Sequence, residues 1–585
     1  MKKWNLTKLY KGFDDEAFLA DLKLFDSFIE DSVKKEDEFD NYDNKINKLI
    51  SYMKDDIDIS VVVDKLMHFA SLSAATDSTN VEAMKSMNTI QMQFTRLTKI
   101  STLFSKWLFN YPNIDEDIAS NEFLKVHEFN IKEQIEHASH ILDDKTESLL
   151  AKLRQNGSSS WSRLQAVLTS TLAVNYEGKE ITLPEVRNLA TSPDAKVRKV
   201  AYEAELEAYK KIEKSIAFSL NSIKGEVNTV SEARGYESPL AQALSKSRMQ
   251  QATLDAMQEA CLEYMDVFRS YLKRKGKLLG HKNGLPFYDM FAPIGNTNKT
   301  FTIPEANEYI LKNFRTFSED LYGMAKKAFN DGWIDYTPRK GKVGGAFCAN
   351  IHAIKESRVL SNFTGSFGDV ITLSHELGHA FHGESIFKES VLNSNYTMPV
   401  AETASTFCET IVNKAALKDT DNVDERIFLL ESSIQDYTQV VVDIMSRFLF
   451  EKAVFDGRRE TVFDENELKE MMLKAQLDTY GDGLDPNCLH PYMWVCKPHY
   501  YSGGLSYYNF PYTFGLLFAK GLYAKYLENK EDFVEMYEKL LRSTGKMLVE
   551  DAAKLAGIDV TKKAFWVSSL ELLKEDINMF LKLTE

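Results

Sequence analysis

His375-Glu376-Leu377-Gly378-His379 sets two histidines four positions apart, a spacing that carries chemistry only if the segment is helical. Positions i and i+4 project from one helix face, so two imidazoles there can grip one metal ion. Glu376, beside the first histidine, reaches the water that such an ion activates. Three fixed positions at this composition recur by chance on the order of 0.03 times per chain. The bland alternative is a pair of surface histidines on an amphipathic helix. The segment predicts a helix from Val370 to about Glu384, with Ile371, Leu373, Leu377, Ala380 and Phe381 as its apolar surface. Gly378 inside that helix costs roughly 1 kcal/mol against alanine, which implies a packing or access reason for it.

A catalytic zinc keeps three protein ligands and one open position. The third should therefore come from a second element nearby. Met398-Pro399-Val400-Ala401-Glu402-Thr403-Ala404-Ser405-Thr406-Phe407-Cys408-Glu409 offers it: Pro399 opens a helix, and Glu402 lies one turn inside, among small residues that permit close packing. Glu402 is the expected ligand. Glu409 follows on the same face, and either Glu409 or Asp369 is expected to steady a ligand imidazole through its other ring nitrogen. A solvated helix carboxylate is the alternative for Glu409. His382 continues the face of His375, but the metzincin pattern needs glycine at 382 and histidine at 385, and Ser385 stands at the latter. That class is excluded, and His382 reads as a residue behind the ligands or in the core.

Outward from the motif, the periodicity is helical almost throughout. From Asp14 to about Leu153, apolar and charged residues alternate with almost no proline. His137 and His140 there read as part of a solvated helix face. Asn156-Gly157-Ser158-Ser159-Ser160 is a turn cluster, and Asn175 to Thr182 reads as a small hairpin. Ser192-Pro193-Asp194 looks like an N-cap, a proline at the first helical position and an acidic first turn, so a boundary is placed near residue 195. Helices resume through about Lys277. Between Gly341 and Gly365 the texture changes: Gly344 and Gly345 are flexible, and Arg358 to Phe363 alternates like a strand. A strand edge beside a hydrolytic metal can pair with extended peptide backbone; a small sheet propping up the helix is the equal alternative.

Composition narrows the partners. The 585 residues allow roughly three to four domains of ordinary size. With 44% hydrophobic and 27% charged residues, the chain is of soluble globular type. A formal charge of −15 leaves no basic surplus for nucleic acid or for anionic membranes. Met1-Lys2-Lys3 and the polar residues after them do not make a secretion signal, and no run is apolar enough to span a membrane. The five cysteines (Cys261, Cys348, Cys408, Cys488, Cys496) are scattered without a CxxC pair, which fits free thiols in a reducing compartment. A cytoplasmic location is expected.

The ensemble of His375 to His382 with Glu402 in a Val-Ala-Glu-Thr setting resembles the M3 zinc oligopeptidases, in particular their oligoendopeptidase F branch. Trp4 to Tyr10, Leu285-Pro286-Phe287-Tyr288-Asp289, Gly341 to Phe347 and Asn362-Phe363-Thr364-Gly365 are similar to that branch's landmarks, so the resemblance spans nearly the whole chain. It implies a mainly α, neurolysin- or thimet-like body, with a small β-sheet beside the HExxH helix. A deep substrate channel would have one zinc ion per chain at its floor. It divides the chain into an N-terminal helical region, 1–195, and a catalytic region, 196–585. By the same resemblance His375, His379 and Glu402 are the ligands and Glu376 the base. Gly344, Gly345, Asn362 and Phe363 would hold the peptide backbone. His499, with Tyr508 and Tyr512 ahead of Tyr501 and Tyr507, would face the scissile carbonyl, although the spacing from His499 to Tyr512 is longer than the family's and Pro511 interrupts the helix there. The expected activity is zinc-dependent hydrolysis of internal bonds in short unfolded peptides. The alternatives are a zinc carboxypeptidase on a similar scaffold and a non-catalytic peptide-binding scaffold. Oligomeric state is left open.

Overall fold

The computed structural model describes residues 3–297 and 299–585; Met1 and Lys2, which open the N-terminal stretch read above, and Asn298 lie outside the described residues. Helices dominate, as the periodicity predicts. The N-terminal part is a run of helices from Glu16–Lys34 to Ser158–Ser170, its longest member being α1 (Lys45–Thr76). A hairpin follows, β1 (Ala173–Tyr176) against β2 (Lys179–Thr182), paired from Ala173↔Thr182 to Tyr176↔Lys179. Its two turn residues, Glu177 and Gly178, both have positive φ, the backbone that matches strand twist in a two-residue turn. After a short helix, Leu183–Asn188, comes Ala195–Tyr209, whose cap is Asp194, its carboxylate accepting from the Lys196 amide. Ser192 and Pro193 lie outside it, because Asp194 alone is placed to take that orphan donor.

The small sheet has strand order β3-β5-β4, from β3 (Ile334–Asp335), β4 (Phe347–Ile351) and β5 (Glu356–Leu360). β5 runs parallel to β3 and antiparallel to β4, with Phe347 opposite Leu360. The strand expected from Arg358 to Phe363 begins and ends earlier, and it is central, with all five residues buried. Both of its faces are covered, so the apparent alternation does not separate a wet face from a dry one. The edge strand is β4. One face of the sheet is backed by the chain's opening segment. Trp4 packs edge-on to Phe347, Asn5 donates its amide to Gly332, and the buried Arg358 guanidinium donates back to the Asn5 carbonyl.

Against the other side lies α2 (Phe367–Ile386), started by a reciprocal cap between Ser366 and Asp369. Behind it stand α3 (Thr403–Asp419), α4 (Val423–Thr438) and α5 (Phe510–Glu528). A methyl group at Gly378 of α2 would lie 2.5 Å from the Ala404 carbonyl oxygen and 2.6 Å from the Ser405 Cα of α3. The glycine is therefore the contact surface between two helix backbones. α4 ends in a π-turn, Gln439–Asp443, whose Val440 carbonyl accepts from Thr513 on α5. Pro511 does not interrupt α5; it sits in its first turn, where the missing N–H is an orphan in any case.

One large core runs from the hairpin to the last helix, and Trp161 and Leu168 already pack against it. Two smaller clusters serve the N-terminal helices, one of which includes Ile351 and Leu360 of the sheet. Among the described residues, no helix is long and apolar enough to cross a membrane.

Replacing Gly378 by alanine sets two effects against each other. Helix propensity returns up to about 1 kcal/mol, while overpacking costs about 1–3 kcal/mol. The contact is backbone to backbone, so relief requires the helices to separate. A lowered denaturant midpoint is expected for G378A; equal stability would show that the approach is not fixed by this residue.

Candidate active site

One helix and one chain break supply the three donors. His375 and His379 lie on α2, and Glu402 sits at a break in the chain, between the short turn Met398–Ala401 and α3. It is not one turn inside a continuous helix: its φ of −87° and ψ of 6° leave helical geometry there. The break turns its carboxylate to both imidazoles, with Glu402 Oε2 3.2 Å from His375 Nε2 and 3.5 Å from His379 Nε2. All three donors lie within 4.8 Å of one another. Donors about 2.0–2.1 Å from a tetrahedrally bound zinc stand about 3.3–3.4 Å apart, so the two spacings to Glu402 fit such an ion. Gly515 of α5 closes the rear, since a methyl group there would meet the Glu402 Cβ at 2.8 Å.

The outer contacts orient these donors. Glu409 Oε2 is 3.4 Å from His375 Nδ1. Ser405 donates to Glu402 Oε2 at 2.7 Å. Burial alone would lower the His375 imidazolium, but hydrogen bonds and charge from Glu402 and Glu409 outweigh it and hold its pKa up at about 10. Burial likewise raises Glu402, yet the two histidines and Ser405 bring it down to about 2. A field that retains a proton so firmly is one that favours a cation. His379 moves the other way, to about 4, because its burial is offset less.

Glu376 is buried beside this group, and desolvation lifts its carboxyl to about 7. His382 is fully buried, stacked on Tyr396 and bonded to the Thr544 hydroxyl. It lies behind the donor set. Asp369 is not at an imidazole: its carboxylate accepts from the backbone of Thr364, Gly365 and Ser366 and shapes the start of α2. Of the two carboxylates considered for that task, only Glu409 is brought to a histidine.

The substrate-side expectations divide as well. Gly344 and Gly345 border open space. Asn362 instead braces that loop, donating to the Val343 and Gly345 carbonyls, and Phe363 is buried in the core. The edge strand β4 reaches the site through Asn350, whose amide donates to the His379 carbonyl. His499 stacks on Tyr508 at 4.4 Å, and the Tyr512 hydroxyl donates to that of Tyr508. Tyr512, raised chiefly by desolvation and then by Tyr508, also feels the charge of Glu402. Tyr501 and Tyr507 are buried away in packing. His140, read as solvated, is stacked on Tyr236, whereas His137 stays exposed. Asn350 and Ser405 were missed by sequence reasoning, because a short polar side chain in a strand or helix gives no signal of the partner it will meet.

A cavity of about 480 Å³ opens beside His375 and Glu376, bordered by Ala346, α2, α3 and α4. A cation held by the three donors, a carboxyl able to exchange a proton and an adjoining strand edge are together equipped for hydrolysis of extended peptide. That is a metallopeptidase's equipment.

Comparison with known proteins agrees. The family description Peptidase family M3 matches residues 188–572, and Oligopeptidase F matches 112–173. The chain belongs to peptidase family M3. It is similar to oligopeptidase PepF of Bacillus subtilis, 24% identical over 80% of this chain and 71% of that one. An oligoendopeptidase F homolog of Borreliella burgdorferi is also 24% identical, over 98% and 96%. Among solved structures, oligoendopeptidase-F from Enterococcus faecium shares the fold with a TM-score of 0.70, at 19% identity over 96% of this chain and 99% of that one. A crystal structure from Chlamydophila abortus reaches 0.85, at 20% identity over 100% and 98%.

Glu409→Ala removes the partner of His375 Nδ1. Metal affinity, read by competition with a chelating dye, should fall about 10- to 100-fold. An unchanged affinity would reduce Glu409 to a bystander.

Proposed function

We propose that the chain is a zinc-dependent endopeptidase cutting internal bonds of short, unfolded peptides. Its zinc ligands are His375, His379 and Glu402, for a single ion per chain. The observation that carries this reading is the convergence of those donors, from separate elements, at spacings that suit one tetrahedral ion. When bound, zinc would acidify a water and polarise the substrate carbonyl.

The chain's own residues do the rest. Glu376 takes the proton from the attacking water and passes it to the leaving amine, a task suited to a carboxyl held near neutrality. His499, Tyr508 and Tyr512 form one stacked and hydrogen-bonded group that donates to the developing oxyanion. The edge of β4 and the open loop at Gly344 and Gly345 pair with substrate backbone. Glu409 keeps His375 in register. Residues 1–195 form the N-terminal helical region and 196–585 the catalytic one, around a channel too narrow for folded proteins. Free thiols at all five cysteines support a cytoplasmic setting.

A carboxypeptidase needs a cation for the substrate's terminal carboxylate. The cavity beside His375 is bordered by Glu409 and Asp436 and by no lysine or arginine among the described residues, which counts against that reading. A relic binding scaffold is disfavoured by the survival of base, donors and their outer contacts together.

The test is mass spectrometry of a mixed peptide pool incubated with protein, with and without a zinc chelator. Internal cuts that the chelator abolishes are expected; trimming of single C-terminal residues would replace this reading with the carboxypeptidase. Glu376→Gln should lose at least about a thousandfold in turnover while retaining its zinc by elemental analysis. Near-normal activity in that variant would remove Glu376 from its role.

A further inference from the structure

The cavity beside His375 has a charged end that hydrolysis does not use. Leu429, Ser432, Ser433 and Asp436 share one face of α4 and line it. Phe367 and Ile371 of α2, with Phe428 and Leu429 of α4, give it apolar walls. Its volume of about 480 Å³ falls in the range of ligand pockets.

The carboxylates around it differ in what they already hold. Glu409 is engaged by His375 and Asn413, and Glu431 behind it by Lys275 and Tyr271. No hydrogen bond or cation engages the carboxylate of Asp436 among the described residues. Asp436 is open to the water of the cavity, yet desolvation by the surrounding walls, with the charges of Glu409 and Glu431, holds its carboxyl up at about 7. An anion so placed gains from any cation that enters.

We infer that this cavity receives the substrate side chain next to the scissile bond and selects lysine or arginine there, with Asp436 accepting hydrogen bonds from the cationic end. The inference rests on the endopeptidase reading above. Lysine and arginine carry a methylene stem that apolar walls can cover and a charged head that needs a partner at the far end. The net charge of −15 adds a general attraction for cationic peptides. A free α-amino group is the other cation a peptide offers. It has no stem to fill the apolar stretch, and peptides with acetylated N-termini separate the two.

The experiment uses zinc-loaded protein and acetylated peptides that differ only by lysine or norleucine at each position flanking the cut. The readout is the ratio of kcat/KM within one preparation, which a partly unfolded variant does not distort. Wild type should favour lysine at one position by on the order of tenfold. D436N should bring the ratio towards unity, and D436K should shift preference to glutamate at the same position. Equal rates for lysine and norleucine in wild type overturn the inference, as does a lysine preference that survives D436N or one that requires a free N-terminus. If no peptide is cut, binding of the same pairs decides. An Asp436-dependent preference in affinity keeps the pocket while the endopeptidase reading falls, and its absence overturns both.

Discussion

The backbone of α2 at Gly378 and that of α3 at Ala404 and Ser405 approach so closely that no side chain fits between them, and this contact fixes the spacing of donors contributed by separate helices. His375 and His379 are placed by helical repeat alone. Glu402 is not: it reaches them because the helices are in backbone contact one turn away and because the chain breaks at Glu402 itself. α5 completes the arrangement by presenting Gly515 to the back of that glutamate. Two glycines thus do in packing what no polar interaction could, since carboxylates and imidazoles tolerate a range of distances while backbone overlap does not.

Electrostatics then divides similar side chains by surroundings. Three carboxyl groups stand around His375 and its cavity, one each from α2, from α4 and from the break before α3. Glu402 is drawn low by two imidazoles and Ser405, whereas Glu376 and Asp436 are lifted, chiefly by desolvation. The first is suited to holding a cation and the second to exchanging a proton. Position relative to the histidines, rather than residue type, separates the roles.

The histidine-glutamate-histidine helix was legible because its signal is local and periodic, and Glu402 because small residues flank it. Features that depend on a competing partner were read less well. Asp369 looked available to an imidazole, but the amides of its own loop reach it first. Pro511 looked like an interruption, yet a proline reads alike at the start and in the middle of a helical pattern until the preceding turn is known. The alternation in β5 suggested one wet face, since nothing local announces that the first residues of the chain cover it. Resemblance alone assigns Asn362 and Phe363 to substrate backbone; in the fold Asn362 braces a loop and Phe363 fills the core. Asp436 is one acid on one more amphipathic helix, distinguished only by the cavity it borders.

The clasp of Asn5 on Gly332 and Arg358 has a temporal side. In a chain made from its N-terminus, residues near the start must wait for partners translated hundreds of positions later before the sheet beside the donors can be backed. The helices of the N-terminal part can settle meanwhile around contacts of their own. A chain cut short before Gly332 therefore lacks this backing for the sheet beside the donors.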